Sequence, residues 1–254
     1  SATNGYGVHS DDRAVDLIRR GPHELTVSLD SHLPAVHDEI RGRAGSYDAA
    51  VSAVRRLIRA RQTLGSVDSR VYVMVLLTSA TYDHLRELYQ LVLRDLKADK
   101  LKVNGLQPSF GVHSGPVPDD DFFAAYSQMD AARLRDELAY CDAEFDLRLN
   151  PAWVDQICRY YEDLRGRPGV NMGWKSDIQT RDRICNCYER NIAVGLYGEM
   201  GHCYSFANFT PVAYKGEGDL ARFWNANDQR VGMKLCNRLC AIGHSNRNLS
   251  ATLS

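Results

Sequence analysis

Hydrophobic positions in the first hundred residues follow two alternating rhythms. ELTVSLD at 24–30 sets Leu25, Val27 and Leu29 on one side of an extended chain, which predicts a strand. SYDAAVSAVRRLIRARQTL at 46–64 repeats Ala50, Val51, Val54, Leu57 and Ile58 at helical spacing, with Ser46 placed to cap the start. RVYVMVLL at 70–77 is a near-continuous apolar run, the pattern of a strand buried on both faces of a parallel sheet. YDHLRELYQLVLRDLKA at 82–98 predicts a second amphipathic helix, and LKVNGLQP at 101–108 a third strand that Pro108 stops. Strand, helix, strand, helix, strand at this spacing predicts an α/β fold with parallel strands and right-handed crossovers. Leu25, Val27, Val73, Val75 and Val103 are expected on its inward face.

Residues 109–120 carry clustered Pro and Gly and read as a loop, followed by helices near 120–141 and 151–164. RGRPGVNMG at 165–173 marks a change of composition, so a boundary is expected near 170, with domains 1–170 and 171–254. In the second, NIAVGLYGEMGHCYSF at 191–206 predicts a hairpin around glycines. DLARFWNANDQRVGMKLCNRLC at 219–240 reads as one or two short helices. So small a region has little apolar core of its own, and such modules usually need a metal or disulfide staple.

Charge narrows the function classes. Lys and Arg total 31 against 32 Asp and Glu in 254 residues, so there is no basic excess for nucleic acid. The apolar run at 71–77 is far too short to span a bilayer, and no export signal opens the chain, so a cytoplasmic location is expected. No P-loop or G-x-G-x-x-G is present. The seven cysteines are more informative, because an odd number without an export signal points away from disulfides and toward metal or redox chemistry. Cys141 and Cys158 lie in helical sequence; the other five lie beyond residue 184.

Those five form a pattern: Cys187-x10-Gly198-x4-Cys203, with Cys185 competing for the first position, then Cys236-x3-Cys240. Four converging thiolates suit a 4Fe–4S cluster or structural zinc. Zinc sites favour C-x2-C knuckles, which fits this spacing less well, although His202 and His244 keep zinc open. Buried free thiols are the third reading.

The order of these features resembles a known family. Thr3-Asn4-Gly5, ELTVSLDS at 24–31, and HDEIRGRAGSYDAAVSAVRRL at 37–57 resemble the middle of radical S-adenosylmethionine enzymes, through His37-Asp38-x-x-Arg41-Gly42 and Gly45-Ser46-Tyr47-Asp48. The cysteine pattern, with FWN at 223–225, resembles the SPASM/Twitch auxiliary-cluster domain, and one cluster fits the cysteine count. The resemblance implies a partial (β/α) barrel holding its third to sixth strands, followed by a small α+β cysteine-rich domain with an auxiliary 4Fe–4S cluster. It implies that Ser28 and Asp30, at a strand end, face the S-adenosylmethionine ribose or carboxylate, and that Arg41 clamps the carboxylate. Read from the residues alone, Ser28 and Asp30 are equally strand-end groups bonding the next loop, and Arg41 a solvated loop arginine. The resemblance also implies that Gln107, ending the sixth strand, lies near adenine, and that Trp174 and Trp224 shield the cluster.

The departures shape the functional expectation. The C-x3-C-x2-C motif that holds the radical-generating cluster in that family does not occur in this sequence, nor does the glycine-rich stretch of the second strand. The chain therefore reads as a C-terminal part, expected to be inactive alone, of an enzyme that modifies a peptide or small molecule by radical hydrogen abstraction. The rival is a non-catalytic peptide-binding module stabilised by a cluster or zinc. A truncated barrel would leave strand 24–30 as an open edge, so dimerisation through that edge is expected.

Overall fold

The computed structural model describes residues 1–65, 68–106, 125–164, 192–194, 198–202 and 212–226. The chain forms two compact units, one of residues 1–106 and 126–165, the other of 107–125 and 166–254.

The first unit is built on a four-stranded sheet, all parallel, in the order β1 (Ala2–Thr3), β2 (Glu24–Ser28), β3 (Arg70–Leu77), β4 (Lys100–Gly105). Its register sets Val27 beside Val73 and Val75 beside Val103. Alternation decides which side each residue takes. Leu25, Val27, Val71, Val73, Val75 and Leu77 are at most 4% exposed. They lie on the side where α3 (Ser46–Leu64) packs against β2 and β3. The other parity, Tyr72, Met74 and Leu76 on β3 with Lys102 on β4, is only half-buried. This corrects two expectations. β3 is not buried on both faces, and of the five residues expected on the inward face Leu25, Val27, Val73 and Val75 sit on the sealed side while Val103 is half-buried. Strand β2 is not an open edge either, because β1 pairs with it at Thr26 and Val27, and Thr26 N–H donates to the Ser1 carbonyl at 2.8 Å.

Two helices escaped the sequence reading. α1 (Asp11–Arg20) starts at Ser10, whose side chain accepts the Arg13 N–H, has two acids in its first turn and packs on α3. α2 (Pro34–Arg41) begins on Pro34. The helix expected over 82–98 is shorter, running as α4 (Leu85–Tyr89) and then as a π-helical stretch over Gln90–Asp95. Of the helix expected near 120–141, residues 120–124 lie outside the described residues, 125–126 are helical, and after a break α5 (Ala131–Phe145) begins where the Asp130 carboxylate accepts the Ala132 and Arg133 N–H groups. α6 (Pro151–Leu164) packs on α5.

α6 is fastened to the sheet ends by two buried tyrosines. Tyr161 Oη accepts the Leu106 N–H at 2.7 Å and donates to the Leu77 carbonyl at 3.2 Å, while Tyr160 donates to the Leu106 carbonyl at 2.8 Å. Burial pushes the pKa of Tyr161 strongly up, so the phenol stays protonated and able to donate.

The described part of the second unit is a three-stranded antiparallel sheet, β5 (Ala193–Val194), β6 (Glu199–Gly201) and β7 (Val212–Ala213), with α7 (Asp219–Asn225). β5 and β6 form the expected hairpin. Gly198, the glycine of the cysteine pattern, has φ +83° before β6, and its carbonyl accepts the Tyr214 N–H at 2.7 Å. A side chain would be strained there. Asp219 accepts the Lys215 and Gly216 N–H groups and so fixes the turn into α7. Among the described residues no helix is long and apolar enough to cross a membrane.

Candidate functional site

The C-terminal ends of β2 and β3 meet two loops that carry the motif residues. Beside them the chain leaves β1 in a tight turn, where Thr3 Oγ1 accepts the Gly5 N–H and Asn4 Oδ1 accepts the Tyr6 N–H. A Cβ on Gly5 would lie 2.8 Å from the Ala49 carbonyl oxygen of α3, so only glycine lets this turn sit against that helix.

Beyond β2 the chain enters a charged knot around Asp30. Asp30 is wholly buried, and its Oδ1 accepts the Leu76 N–H from β3 at 3.0 Å. Its Oδ2 lies 2.5 Å from Arg41 Nε, an ion-pair contact without hydrogen-bond alignment, and 3.6 Å from His37 Nδ1. The Asp30 N–H donates to His37 Nδ1 at 3.0 Å, so that nitrogen carries a lone pair and the imidazole is neutral. Burial, the largest cause, and the Arg41 charge push the His37 pKa down against the opposing pull of Asp30. Asp38 then reaches forward to the start of α3, accepting from Gly45 N at 2.6 Å, Tyr47 N at 2.8 Å and Ser46 Oγ at 2.8 Å. The cap of α3 is therefore Asp38 rather than Ser46, which donates to it. The Tyr47 N–H, first, and the Ser46 hydroxyl hold the Asp38 carboxyl below its usual range.

The positions of His-Asp-x-x-Arg-Gly thus divide the work of the loop. His37 receives the strand-end amide, Asp38 caps the next helix, Arg41 neutralises the buried carboxylate, and Gly42 closes α2. Of the residues singled out from sequence, Ser28, Asp30 and Arg41 come together at this strand end. They differ in availability. Ser28 is nearly buried, and its hydroxyl has no hydrogen-bond partner among the described residues. The Arg41 side chain is 31% exposed, while Asp30 is 0% exposed, with Oδ1 bonded to Leu76 N–H and Oδ2 against Arg41.

The second loop follows β3. Thr81 Oγ1 accepts the Thr78 N–H and donates to the Leu76 carbonyl, folding the turn. His84 precedes α4, with its ring edge-on to His32 of the first loop, centroids 5.6 Å apart. Sequence reasoning passed over His32, His37, Asp38 and His84 as site residues. The H-D-x-x-R spacing was the signal available for the middle two, and nothing local marked the pair from separate loops.

Cys141 and Cys158 are buried free thiols, with burial pushing their pKa values up to about 12 and about 11. Both remain protonated at neutral pH. Cys185, Cys187, Cys203, Cys236, Cys240, Gln107, Trp174 and His244 lie outside the described residues. In the second unit His202 is buried against the rings of Phe223 and Trp224, at 4.8 and 5.9 Å. Among the described residues no group of three or more His, Cys, Asp or Glu side chains is placed to hold a metal.

No protein-family model matches the chain, and no curated protein matches it. Solved structures do. Native anSMEcpe with bound AdoMet is similar at a TM-score of 0.56 and 13% identity, over 92% of this chain and 58% of that one. Native anSMEcpe with bound AdoMet and Cp18Cys peptide gives 0.53 and 14%, over 92% and 59%. The chain therefore spans less than two thirds of the neighbour's length, and the likeness shows a shared mixed α/β fold with a parallel sheet.

Proposed function

We propose that this chain is part of a radical S-adenosylmethionine enzyme that acts on a peptide, its sheet forming part of a barrel and its C-terminal unit an auxiliary-cluster domain of SPASM/Twitch type. What carries the reading is one convergence. The Thr3-Asn4-Gly5, Ser28-x-Asp30 and His37-Asp38-x-x-Arg41 motifs of the family resemblance gather at the ends of β1 and β2, in a fold shared with a protein solved with AdoMet and with a peptide bound.

The residues at this mouth of the sheet fit S-adenosylmethionine in part. Ser28 offers a hydroxyl, and Arg41 a half-buried guanidinium able to meet a carboxylate. Asp30 holds Arg41 and is a positioning residue rather than a contact. S-adenosylmethionine supplies radical hydrogen abstraction when it is reductively cleaved. This chain's part is to bind and orient it and to keep the Arg41 charge aimed. The auxiliary 4Fe–4S cluster would take Cys203, Cys236, Cys240 and one of Cys185 or Cys187.

Calorimetric titration of the chain with AdoMet tests the first half. Arg41→Ala is expected to weaken binding about tenfold, or about 1.4 kcal/mol, and Ser28→Ala by less. Equal affinity in both variants and the parent would sink the assignment. For the second half, anaerobically prepared protein should be brown with about four irons per chain, the content of one Cys-ligated cluster. Loss of colour is expected in Cys203→Ala, Cys236→Ala and Cys240→Ala, and colour retained in all three would remove the cluster.

A further inference from the structure

At the mouth, most buried polar side chains are satisfied from within. Asp30 takes Arg41 and the Leu76 N–H, His37 takes the Asp30 N–H, Ser31 Oγ accepts the Leu33 N–H at 3.0 Å, and Thr78 and Thr81 bond each other. The exceptions are Asp30 Oδ2, which meets Arg41 only as an ion pair, the Ser28 hydroxyl, and His32. The His32 side chain is half-buried, and its Nδ1 is sealed from solvent with no hydrogen-bond partner. Nε2 is not sealed in this way.

The orphan nitrogen fixes the tautomer. A buried N–H without a partner is costlier and rarer than a buried lone pair without one. The proton of the neutral ring therefore belongs on Nε2. Burial, the largest cause, and the neighbouring His84 push the His32 pKa down, with Glu87 opposing them, so the ring is neutral at pH 7. The charges around it select the ligand. Glu87 acts on His32 and has no ion-pair partner among the described residues, whereas Asp83 is neutralised by Arg133 at 3.0 Å and lies 3.6 Å from His84. An anionic ligand meets the Glu87 charge; a neutral acceptor does not.

We propose that His32, braced edge-on by His84, is a ligand-contacting residue that donates its Nε2–H to an amide carbonyl of a peptide brought to the sheet mouth. The identity of the ligand rests on the peptide reading above; the tautomer and the Nε2–H donor do not.

The test is long-range proton–nitrogen NMR of the imidazoles in the intact chain, titrated with N-acetylglycine methylamide, with acetate, and separately with AdoMet. Expected are an unprotonated Nδ1 on His32 before any addition, a saturable shift of its Nε2–H with the amide, and a weaker response to acetate. Glutamine places its amide nitrogen where Nε2 sits, and asparagine where Nδ1 sits. His32→Gln should therefore keep amide affinity within about threefold while His32→Asn loses it, about 0.7 kcal/mol separating retention from loss. A protonated Nδ1, no amide response, acetate binding tighter than the amide, or equal loss in both variants would overturn the proposal. AdoMet failing to bind while the amide shifts His32 would remove the enzyme reading and leave this one standing.

Discussion

The two faces of the four-stranded sheet share strands and backbone but differ in kind. On one, Val27, Val73, Val75 and Leu77 are 0% exposed against the helical layer. On the other, Tyr72 and Met74 are half-buried, Asn104 Nδ2 contacts Met74 Sδ at 2.9 Å, and Lys102 lies over the Tyr72 ring, 4.4 Å from its centroid. On β3 one parity is sealed and the other half-buried, whereas on β2 Thr26 and Ser28 of the second parity are buried too. A single strand such as RVYVMVLL hides this division, because Met74 and Leu76 are apolar without being sealed.

Truncation should expose the difference most strongly. Leu77→Ala removes packed methyl groups from a position that cannot collapse easily, at a cost of about 3 kcal/mol. Met74→Ala on the other face should cost less than about 1 kcal/mol. Urea unfolding of both variants measures this, and equal costs would mean that the second face is also a packed core.

Between the faces lies the loop that aims the mouth, and Asp38 is its most sensitive point. Asp38→Ala leaves the Gly45 and Tyr47 N–H groups without their carboxylate, so the urea midpoint should fall. The sign with pH follows from its lowered pKa. A carboxyl held below its ordinary value of 3.8 adds stability that is full above that value and is lost as pH falls through the folded-state value. Wild-type and Asp38→Ala stabilities should therefore converge below about pH 4. A gap unchanged between about pH 7 and about pH 3 would show that the loss comes from packing rather than from the charged cap.

The same loop shows what the sequence made legible. Periodicity found β2, α3 and β3 because apolar repeats there run long enough to count. It missed α2, whose eight residues PAVHDEIR bury only His37 and so carry almost no apolar stripe. The motif residues were visible as a spacing, but what each of them does was not. Nothing in the chain order says that Asp30 will accept an amide from Leu76, 46 positions away, or that it will neutralise Arg41. His32 and His84 were hidden for the same reason, since their meeting depends on two neighbouring parallel strands ending at one level.

The smallest expected effect is on the polar face itself. Glu24 at the start of β2 reaches Lys102 of β4 at 3.1 Å, with the two side chains 47% and 32% exposed. The hydrogen bond from Lys102, the largest cause, pulls the Glu24 pKa below its ordinary 4.5, so the pair's contribution is present above that value and lost as pH falls. Solvent screens it heavily, and Glu24→Gln should cost only about 0.5 kcal/mol at low salt. Raising the salt to about 1 M, where the screening length is near 3 Å, should remove most of that difference. Lys102 keeps its place over Tyr72 in this variant, so Lys102→Met should cost no more, its stem still covering the ring. If Glu24→Gln instead cost more than about 2 kcal/mol, or kept its cost in salt, the pair would be holding strands β2 and β4 to the sheet. The polar face would then belong to the fold, and the division between a sealed side that stabilises and a second side that does not would fail at its weakest charge pair.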